Sequence, residues 1–128
     1  MANDKQKKVL IVEDEEILRA MYERKFVQDK ELKVFIAADG AEGLEMAKRE
    51  KPDVVLLDII LPKLDGFSVL EEIRKIKEMK KTPIFMFTNL GTPEDIEKGK
   101  ALGATDYMVK VSLTPDQIYE KVKKYLKK

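Results

Sequence analysis

The sequence predicts an α/β fold in which helices cover both faces of a parallel β-sheet. Short apolar runs alternate five times with segments of helical periodicity, a pattern typical of successive strand–helix–strand units. The runs at residues 9–12, 54–57 and 84–87 are apolar at every position, as expected of strands buried on both faces. We therefore expect a three-layer sandwich with the sheet in the middle.

Five strands and five helices can be placed along the chain from these patterns. Strands are predicted at residues 8–13, 32–37, 53–58, 83–88 and 105–110. Helices are predicted at residues 15–28, 40–50, 65–78, 93–102 and 114–127, several of them opened by Pro or Asp and closed near Gly. On the first helix, Leu18, Tyr22 and Phe26 recur at every fourth position, which predicts its core face. Ile17 and Met21 are then expected at the margin of that face.

The order of the strands follows from how apolar each one is. The first, third and fourth are apolar on both faces and are predicted to be central. The second alternates around Lys33 and the fifth begins with Thr105 and Asp106, so these two are predicted to be edge strands. With right-handed crossovers, these constraints predict the order 2-1-3-4-5, the flavodoxin-like, doubly wound (βα)5 arrangement. Its switch point, where ligands bind, lies between strands one and three.

Length and composition exclude several classes of protein. The 128 residues suit one domain, predicted to span residues 8–128 after a flexible tail of residues 1–7. The net charge of +1 offers no field that would attract nucleic acid, so no direct nucleic-acid partner is expected. There is no Cys and no His, which excludes disulfides, thiolate metal sites, Ser-His triads and a self-supplied phosphohistidine. A polar start and the lack of a membrane-length apolar segment predict a cytoplasmic protein with no membrane insertion.

Acidic residues end two of the predicted central strands. Glu13 and Asp14 follow the first strand and Asp58 ends the third, so three carboxylates are expected to converge at one edge of the sheet. Like charges at this spacing call for a cation, and Mg²⁺ (or Mn²⁺) suits a site made of oxygen ligands. We expect Asp14 and Asp58 to be direct ligands and Glu13 to act through water. The simpler alternative for Glu13 and Asp14 is that they only cap the next helix.

Two more strand ends add a hydroxyl and an amine. Thr88 ends the fourth strand and Lys110 ends the fifth. A carboxylate beside a metal can attack a phosphoryl group and form an acyl phosphate. Metal, lysine and hydroxyl then offer one partner for each equatorial phosphoryl oxygen. Taken singly, Lys110 reads as a surface lysine and Thr88 as an ordinary strand residue, but their positions at strand ends favour a shared site.

Together these segments resemble the receiver domain of response regulators, of the single-domain kind similar to chemotaxis regulators, over residues 7–127. The segments that carry the resemblance are residues 8–15, 52–58, 61–66, 87–88 and 103–110. The resemblance implies that Asp58 is the phosphoacceptor and that Glu13 and Asp14 are the acid pair. It also implies that the Ile60 backbone carbonyl is a further metal ligand. The implied partners are a histidine kinase or histidine phosphotransfer protein and an unidentified downstream effector protein.

The same resemblance implies how the phosphorylated state is read. Thr88 and Lys110 would stabilise the phosphoryl charge, and Thr88 and Tyr107 would form a switch that alters partner binding at helix four, strand five and helix five. Two residues depart from the family pattern: Val111 stands where Pro is usual, and Asn89 where a small residue is usual. Because the chain ends after the fifth helix, we expect its output to pass through another protein, unless it is a fragment of a longer regulator.

Three other functions were weighed. An aspartyl-phosphate hydrolase of the haloacid dehalogenase kind needs an Asp two residues after the nucleophile, where Ile60 stands. A flavodoxin needs a phosphate-binding loop after the first strand, where Glu13–Glu16 would repel phosphate. The third is a receiver fold that binds partners without phosphorylation. The complete set of acids, hydroxyl and amine argues against it.

Overall fold

The computed structural model describes residues 6–89 and 91–126, and within them a five-stranded parallel sheet. Its strands are β1 (Lys7–Val12), β2 (Leu32–Ala37), β3 (Val54–Asp58), β4 (Ile84–Thr88) and β5 (Asp106–Val109). Their order is β2-β1-β3-β4-β5, which confirms the predicted order and its two edge strands. The helices are α1 (Glu16–Val27), α2 (Gly40–Glu50), α3 (Gly66–Arg74), α4 (Pro93–Ala101) and α5 (Pro115–Leu126).

The sheet separates two apolar clusters, one on each face. Successive strand residues project to opposite faces, so odd and even positions of a strand enter different clusters. Tyr22 and Phe26 of α1 and Ile118 and Val122 of α5 pack on one face, which we call the α1/α5 face. The other cluster, called here the α2/α3 face, contains residues of α2 and α3, with the half-buried Tyr107 packed against it. The central strands contribute alternate residues to both clusters, which explains why those runs are wholly apolar.

The first helix packs as its periodicity predicts. Tyr22 and Phe26 are buried and Leu18 packs, half-buried, against the same cluster. Met21 lies at the margin, whereas Ile17 is 83% exposed and projects fully into solvent.

Most predicted boundaries agree with the structure within one residue, and two of the differences bear on the core and the site. The third helix ends at Arg74 instead of residue 78, because Ile76 is extended and a separate 3₁₀ turn follows at Lys77–Met79. This break lets Met79 enter the core, where it is 1% exposed, and the Arg74 guanidinium donates to the Met79 carbonyl at 2.8 Å. The fifth strand ends at Val109, because β4 offers no pairing residue beyond Thr88, and Lys110 begins a 3₁₀ turn, Lys110–Ser112.

Some predictions concern residues outside the described part of the chain. Lys7 belongs to β1, and residues 1–5 lie outside the described residues, so the flexible tail of residues 1–7 stays a prediction. The predicted end of the fifth helix at residue 127 also lies outside them. Among residues 6–89 and 91–126, no helix is long and apolar enough to cross a membrane.

Candidate functional site

The three acids predicted from the sequence meet at the carboxyl edge of the sheet. One carboxylate oxygen from each of Glu13, Asp14 and Asp58 lies within 4.8 Å of the other two. Glu13 and Asp58 are buried, whereas Asp14 is exposed at the rim. A group of negative charges this close, two of them withdrawn from water, is unfavourable unless a cation joins it.

Lys110 reaches the two buried acids. Its Nζ donates to Asp58 Oδ2 at 2.7 Å and also to Glu13 Oε1, and its side chain is 5% exposed. It therefore occupies a site among carboxylates and is not the surface lysine of the simpler interpretation. Three carboxylates still face this one ammonium, which leaves the cluster with a surplus of negative charge.

Strand alternation explains why these three side chains meet. Glu13 lies two residues after Ile11, Asp58 two after Leu56, and Lys110 two after Met108. Ile11, Leu56 and Met108 all belong to the α1/α5 face. Each polar side chain therefore continues a row of apolar residues on that face, at the point where the strand leaves the core.

Arg19 and the backbone around the acids add contacts that the motifs did not predict. The Arg19 guanidinium, one turn into α1, donates to the carbonyls of Glu13 and Asp14 at 3.0 and 3.1 Å. The Glu15 backbone N–H donates to Glu13 Oε2 at 3.0 Å. Together they hold the turn between β1 and α1 in one conformation. A basic residue five positions after an acid pair was the only sequence signal for this contact.

The loop between β3 and α3 is held at two points. The Gly66 N–H donates to the Ile59 carbonyl at 2.7 Å, and the Gly40 N–H of α2 donates to the Pro62 carbonyl at 3.2 Å. A Cβ on Gly40 would lie 1.6 Å from the Leu64 carbonyl oxygen, so only glycine permits this approach. Ile60 lies between the two contacts and is 65% exposed.

A cavity of about 360 Å³ opens beside these groups. We call it the site cavity, and its lining residues are Asp14, Glu15, Asp58, Ile60, Thr88, Asn89 and Lys110. It brings together the acid, the hydroxyl and the amine that the strand ends predicted. Its volume is that of about ten water molecules, which is ample for a hydrated ion and a phosphoryl group.

Burial sets the protonation behaviour of the site. It raises the pKa of the Glu13 and Asp58 carboxyls above their ordinary values, and the hydrogen bonds from Lys110 offset this only in part. For Lys110, burial acts to lower the pKa, but the hydrogen bonds and charges of Asp58 and Glu13 outweigh it, so the pKa is raised. The ammonium therefore stays charged, and a divalent cation would relieve the acids. Oxygen donors alone, without Cys or His, suit Mg²⁺ or Mn²⁺.

Thr88 and Tyr107 lie on the opposite side of the sheet from Lys110. Met86 pairs with Tyr107 and Thr88 with Val109, so Thr88 and Tyr107 project toward the α2/α3 face. Thr88 is buried and lines the site cavity, and Tyr107 is half-buried. Burial, with the charges of Asp95 and Asp58, raises the pKa of Tyr107 to about 12.

The two departures from the family pattern have different surroundings. Asn89 lines the site cavity. Val111 lies in the 3₁₀ turn after β5 and is 77% exposed. No cis peptide bond occurs within the part of the chain that the structure describes.

Proteins similar to this chain are found in several organisms. The chain matches the family described as response regulator receiver domain over residues 9–123. It is 41% identical over 121 residues to the probable transcriptional regulator ycf27 of Guillardia theta, a match to 94% of this chain and 46% of that protein. It is 38% identical over 122 residues to the alkaline phosphatase synthesis transcriptional regulatory protein PhoP of Bacillus subtilis (strain 168), covering 95% and 49%. The chain thus spans about half the length of these curated relatives.

Solved structures share the architecture. The Vibrio cholerae chemotaxis protein CheY4 is 34% identical, with a TM-score of 0.85 over 94% of this chain and 98% of that one. A CheY-like response regulator receiver domain protein from Methanospirillum hungatei JF-1 is 28% identical, with a TM-score of 0.87 over 95% and 94%. The family match extends from β1 into α5 and therefore includes every strand end that builds the site. The chain belongs to the response regulator receiver domain family of two-component systems.

Proposed function

We propose that this receiver domain is a switch that accepts a phosphoryl group on Asp58. The observation that carries the proposal is the Lys110 Nζ, 2.7 Å from Asp58 Oδ2, at the wall of a cavity that also exposes Asp14 and Thr88. This arrangement supplies a nucleophile, a metal-binding acid and two donors for phosphoryl oxygens within one space.

Mg²⁺ or Mn²⁺ is the proposed cofactor. Asp14 and Asp58 would be direct ligands together with the Ile60 backbone carbonyl, and Glu13 would act through water. The exposed position of Asp14 and the surplus of negative charge support this assignment. When bound, such an ion neutralises charge on the transferring phosphoryl group and orients its oxygens.

The proposed reaction is an in-line phosphoryl transfer from a phosphohistidine. An Asp58 carboxylate oxygen forms the new O–P bond while the N–P bond breaks, and the bonding electron pair leaves with the imidazole. Lys110 donates to one phosphoryl oxygen and Thr88 to another. Asp58 attacks as an ionised carboxylate, so no general base is needed. Because the chain has no His, the donor is a second protein, a histidine kinase or a histidine phosphotransfer protein.

We also propose that the phosphorylated state is reported on α4, β5 and α5. When Thr88 donates to the phosphoryl group, it moves toward the site cavity and leaves space beside Tyr107 on the α2/α3 face. The position of Gly91, three residues after Thr88, supports this coupling. Gly91 lies next to the Tyr107 ring, since a Cβ added to it would be 4.0 Å from Tyr107 Cε1. A downstream effector would bind the altered surface. The prediction of no direct nucleic-acid contact concerns this chain alone, since the named relatives are longer transcriptional regulators.

Intact mass spectrometry with acetyl phosphate and Mg²⁺ tests the phosphoacceptor. We expect one phosphoryl group on the wild type, none when EDTA is present from the start, and none on Asp58→Ala. Asp29→Ala, which removes a carboxylate far along the chain from the site, is the matched control and should be modified normally. An unmodified wild type, or equal modification of Asp58→Ala, would overturn the assignment and favour a phosphorylation-independent binding module.

The switch has its own test. NMR spectra with and without beryllofluoride, a phosphoryl mimic, should show shifts across residues 93–110 in the wild type. Thr88→Ala should keep modification at Asp58 but lose most of those distant shifts, because a ligand moves an equilibrium only through contacts that differ between its states. Identical responses in both proteins would contradict the coupling.

A further inference from the structure

Phe87 lies directly before Thr88 in β4, and no motif assigns it a role. Its ring is fully buried, and Lys110 Nζ lies 5.1 Å from the ring centroid. Phe87 pairs with Asp58 across β3 and β4, so the ring and the carboxylate project to the same face of the sheet. A lysine ammonium within about 6 Å of an aromatic face is attracted by the negative charge density there.

We propose that Phe87 is a positioning residue for Lys110, and that its aromatic face holds the ammonium beside Asp58 during phosphoryl transfer. The inference rests on the proposed function, because it assigns Phe87 a part in that reaction. Phe87 does not contact the transferring group itself in this scheme. It acts through Lys110.

The lysine needs a contact that does not change during the reaction. Its Nζ now donates to Glu13 and Asp58, and both carboxylates take new partners when the cation and the phosphoryl group bind. As the O–P bond forms, Asp58 loses its negative charge and the phosphoryl oxygens become the new acceptors. The Phe87 ring neither ionises nor binds a cation through oxygen, so its contact with the ammonium persists. A long, flexible side chain gains most from such a fixed contact.

The orientation of the ring is itself supported by α1. Tyr22 packs its ring against Phe87 in an edge-to-face arrangement, with centroids 4.9 Å apart and an interplanar angle of 67°. Tyr22 is 2% exposed and belongs to the same apolar cluster. Edge-to-face pairs are a preferred aromatic geometry. The pair therefore restrains the ring whose face contacts the lysine.

Phe85 provides a matched control within the same strand. It is fully buried on the same face, two residues earlier, and makes an edge-to-face contact at 4.9 Å with Tyr125. Replacement of either phenylalanine by leucine removes the same atoms from the same cluster. Only the replacement at Phe87 removes an aromatic face from Lys110.

The test compares Phe87→Leu with Phe85→Leu. At saturating Mg²⁺ and acetyl phosphate, we expect Phe87→Leu to be modified about tenfold more slowly, because an ammonium without its fixed contact is out of position for most of the time. Phe85→Leu should stay within about twofold of wild type even though urea unfolding shows a similar loss of stability in both. Equal slowing in both variants, or none in Phe87→Leu, would overturn the proposal.

Two further measurements sharpen the test: a substitution that keeps the shape of the core, and a spectroscopic readout that does not depend on activity. Substitution of 3,5-difluorophenylalanine at Phe87 weakens the negative ring face with little change in shape, so it should slow modification less than leucine does; an unchanged rate would overturn the proposal. In ¹³C-lysine-labelled protein, the ring-current shift of the Lys110 Cε protons should persist in Phe85→Leu and vanish in Phe87→Leu. If wild type is not modified at all, the proposed function is wrong, whereas this shift still decides whether Phe87 holds Lys110.

Discussion

Two Asp–Lys pairs in this protein share one distance and differ in nearly everything else. Asp58–Lys110 lies at the carboxyl edge of the sheet, and Asp29–Lys123 joins the loop after α1 to α5. In both, Nζ is 2.7 Å from a carboxylate oxygen. Yet the pKa of Asp58 is raised, whereas the pKa of Asp29 is lowered.

The cause of this difference is the balance of donors against burial. Burial acts to raise the pKa of Asp29, but hydrogen bonds from Lys123, the Tyr119 hydroxyl at 2.5 Å and a backbone N–H outweigh it. At Asp58, burial prevails over Lys110, which is shared with Glu13, and over the backbone N–H groups of Ile59 and Ile60. The Asp29 carboxylate is thus fully hydrogen-bonded within the fold. The Asp58 carboxylate has too little positive charge around it, which suits a site that binds a cation and a phosphoryl group.

Removal of each lysine should show this difference most strongly. Lys110→Met leaves two buried acids unpaired and should lower the free energy of unfolding by about 3 kcal/mol. Lys123→Met should cost about 1 kcal/mol, because Asp29 keeps the Tyr119 hydroxyl and a backbone donor. Urea unfolding at pH 7 without Mg²⁺ measures both. Equal losses would mean that the two pairs are energetically alike and that the comparison fails.

Mg²⁺ should stabilise the protein only through the acids at the carboxyl edge of the sheet, Glu13, Asp14 and Asp58. At one hundred times its dissociation constant, a ligand that binds only the native state adds about 2.7 kcal/mol. We expect this gain in wild type and in Asp29→Asn, and its near loss in Asp14→Ala. Asp14→Ala should nevertheless unfold no earlier than wild type in EDTA, since it relieves charge repulsion. Unfolding curves with and without Mg²⁺ test this, and a full gain in Asp14→Ala would place the ion elsewhere.

The access of water to Asp58 should control how long the phosphoryl group stays on it. Ile60 lines the site cavity and cannot orient a water for hydrolysis. From the sequence we expect Leu90, two residues after Thr88, to flank that water as well, but it lies outside the described residues. We expect Ile60→Asn or Ile60→Glu to speed phosphate loss about fivefold, equivalent to roughly 1 kcal/mol of barrier. Val111→Asn, an equally exposed apolar position that does not line the cavity, should not. Unchanged loss in both Ile60 variants would direct attention to Asn89.

The smallest expected effect is the pH dependence of the stability that the Asp29–Lys123 pair contributes. Because the folded pKa of Asp29 is depressed, its stabilising contribution is fully present above its ordinary value of 3.8 and is lost as pH falls through the folded pKa. Asp29→Asn should therefore be less stable than wild type by about 1 kcal/mol at pH 7. That difference should shrink below pH 4. Unfolding at pH 7 and below pH 4 would check it, and a difference independent of pH would exclude Asp29 ionisation as the cause.

The sequence by itself determined the topology and most of the site. Short, wholly apolar runs are typical of strands covered on both sides, and this predicted the central positions of β1, β3 and β4. Once the carboxyl ends of parallel strands share an edge, Glu13, Asp14, Asp58, Thr88 and Lys110 must gather there. Local periodicity was enough for this, because it reports burial directly. Local periodicity did not predict the end of α3, since residues 65–78 have a helical pattern and the break that brings Met79 into the core has no local signal.

Tertiary structure alone decided which side chains touch. Asp29 meets Tyr119 and Lys123 across 90 and 94 residues, and nothing in the local pattern of either segment distinguishes them from exposed polar residues. Phe87 reads as an ordinary core residue, and its position under Lys110 depends on the register of β4 against β3 and on the turn after β5. Such contacts form only when several elements pack together. Their free energy comes from interactions between segments, so the sequence of one segment does not predict them.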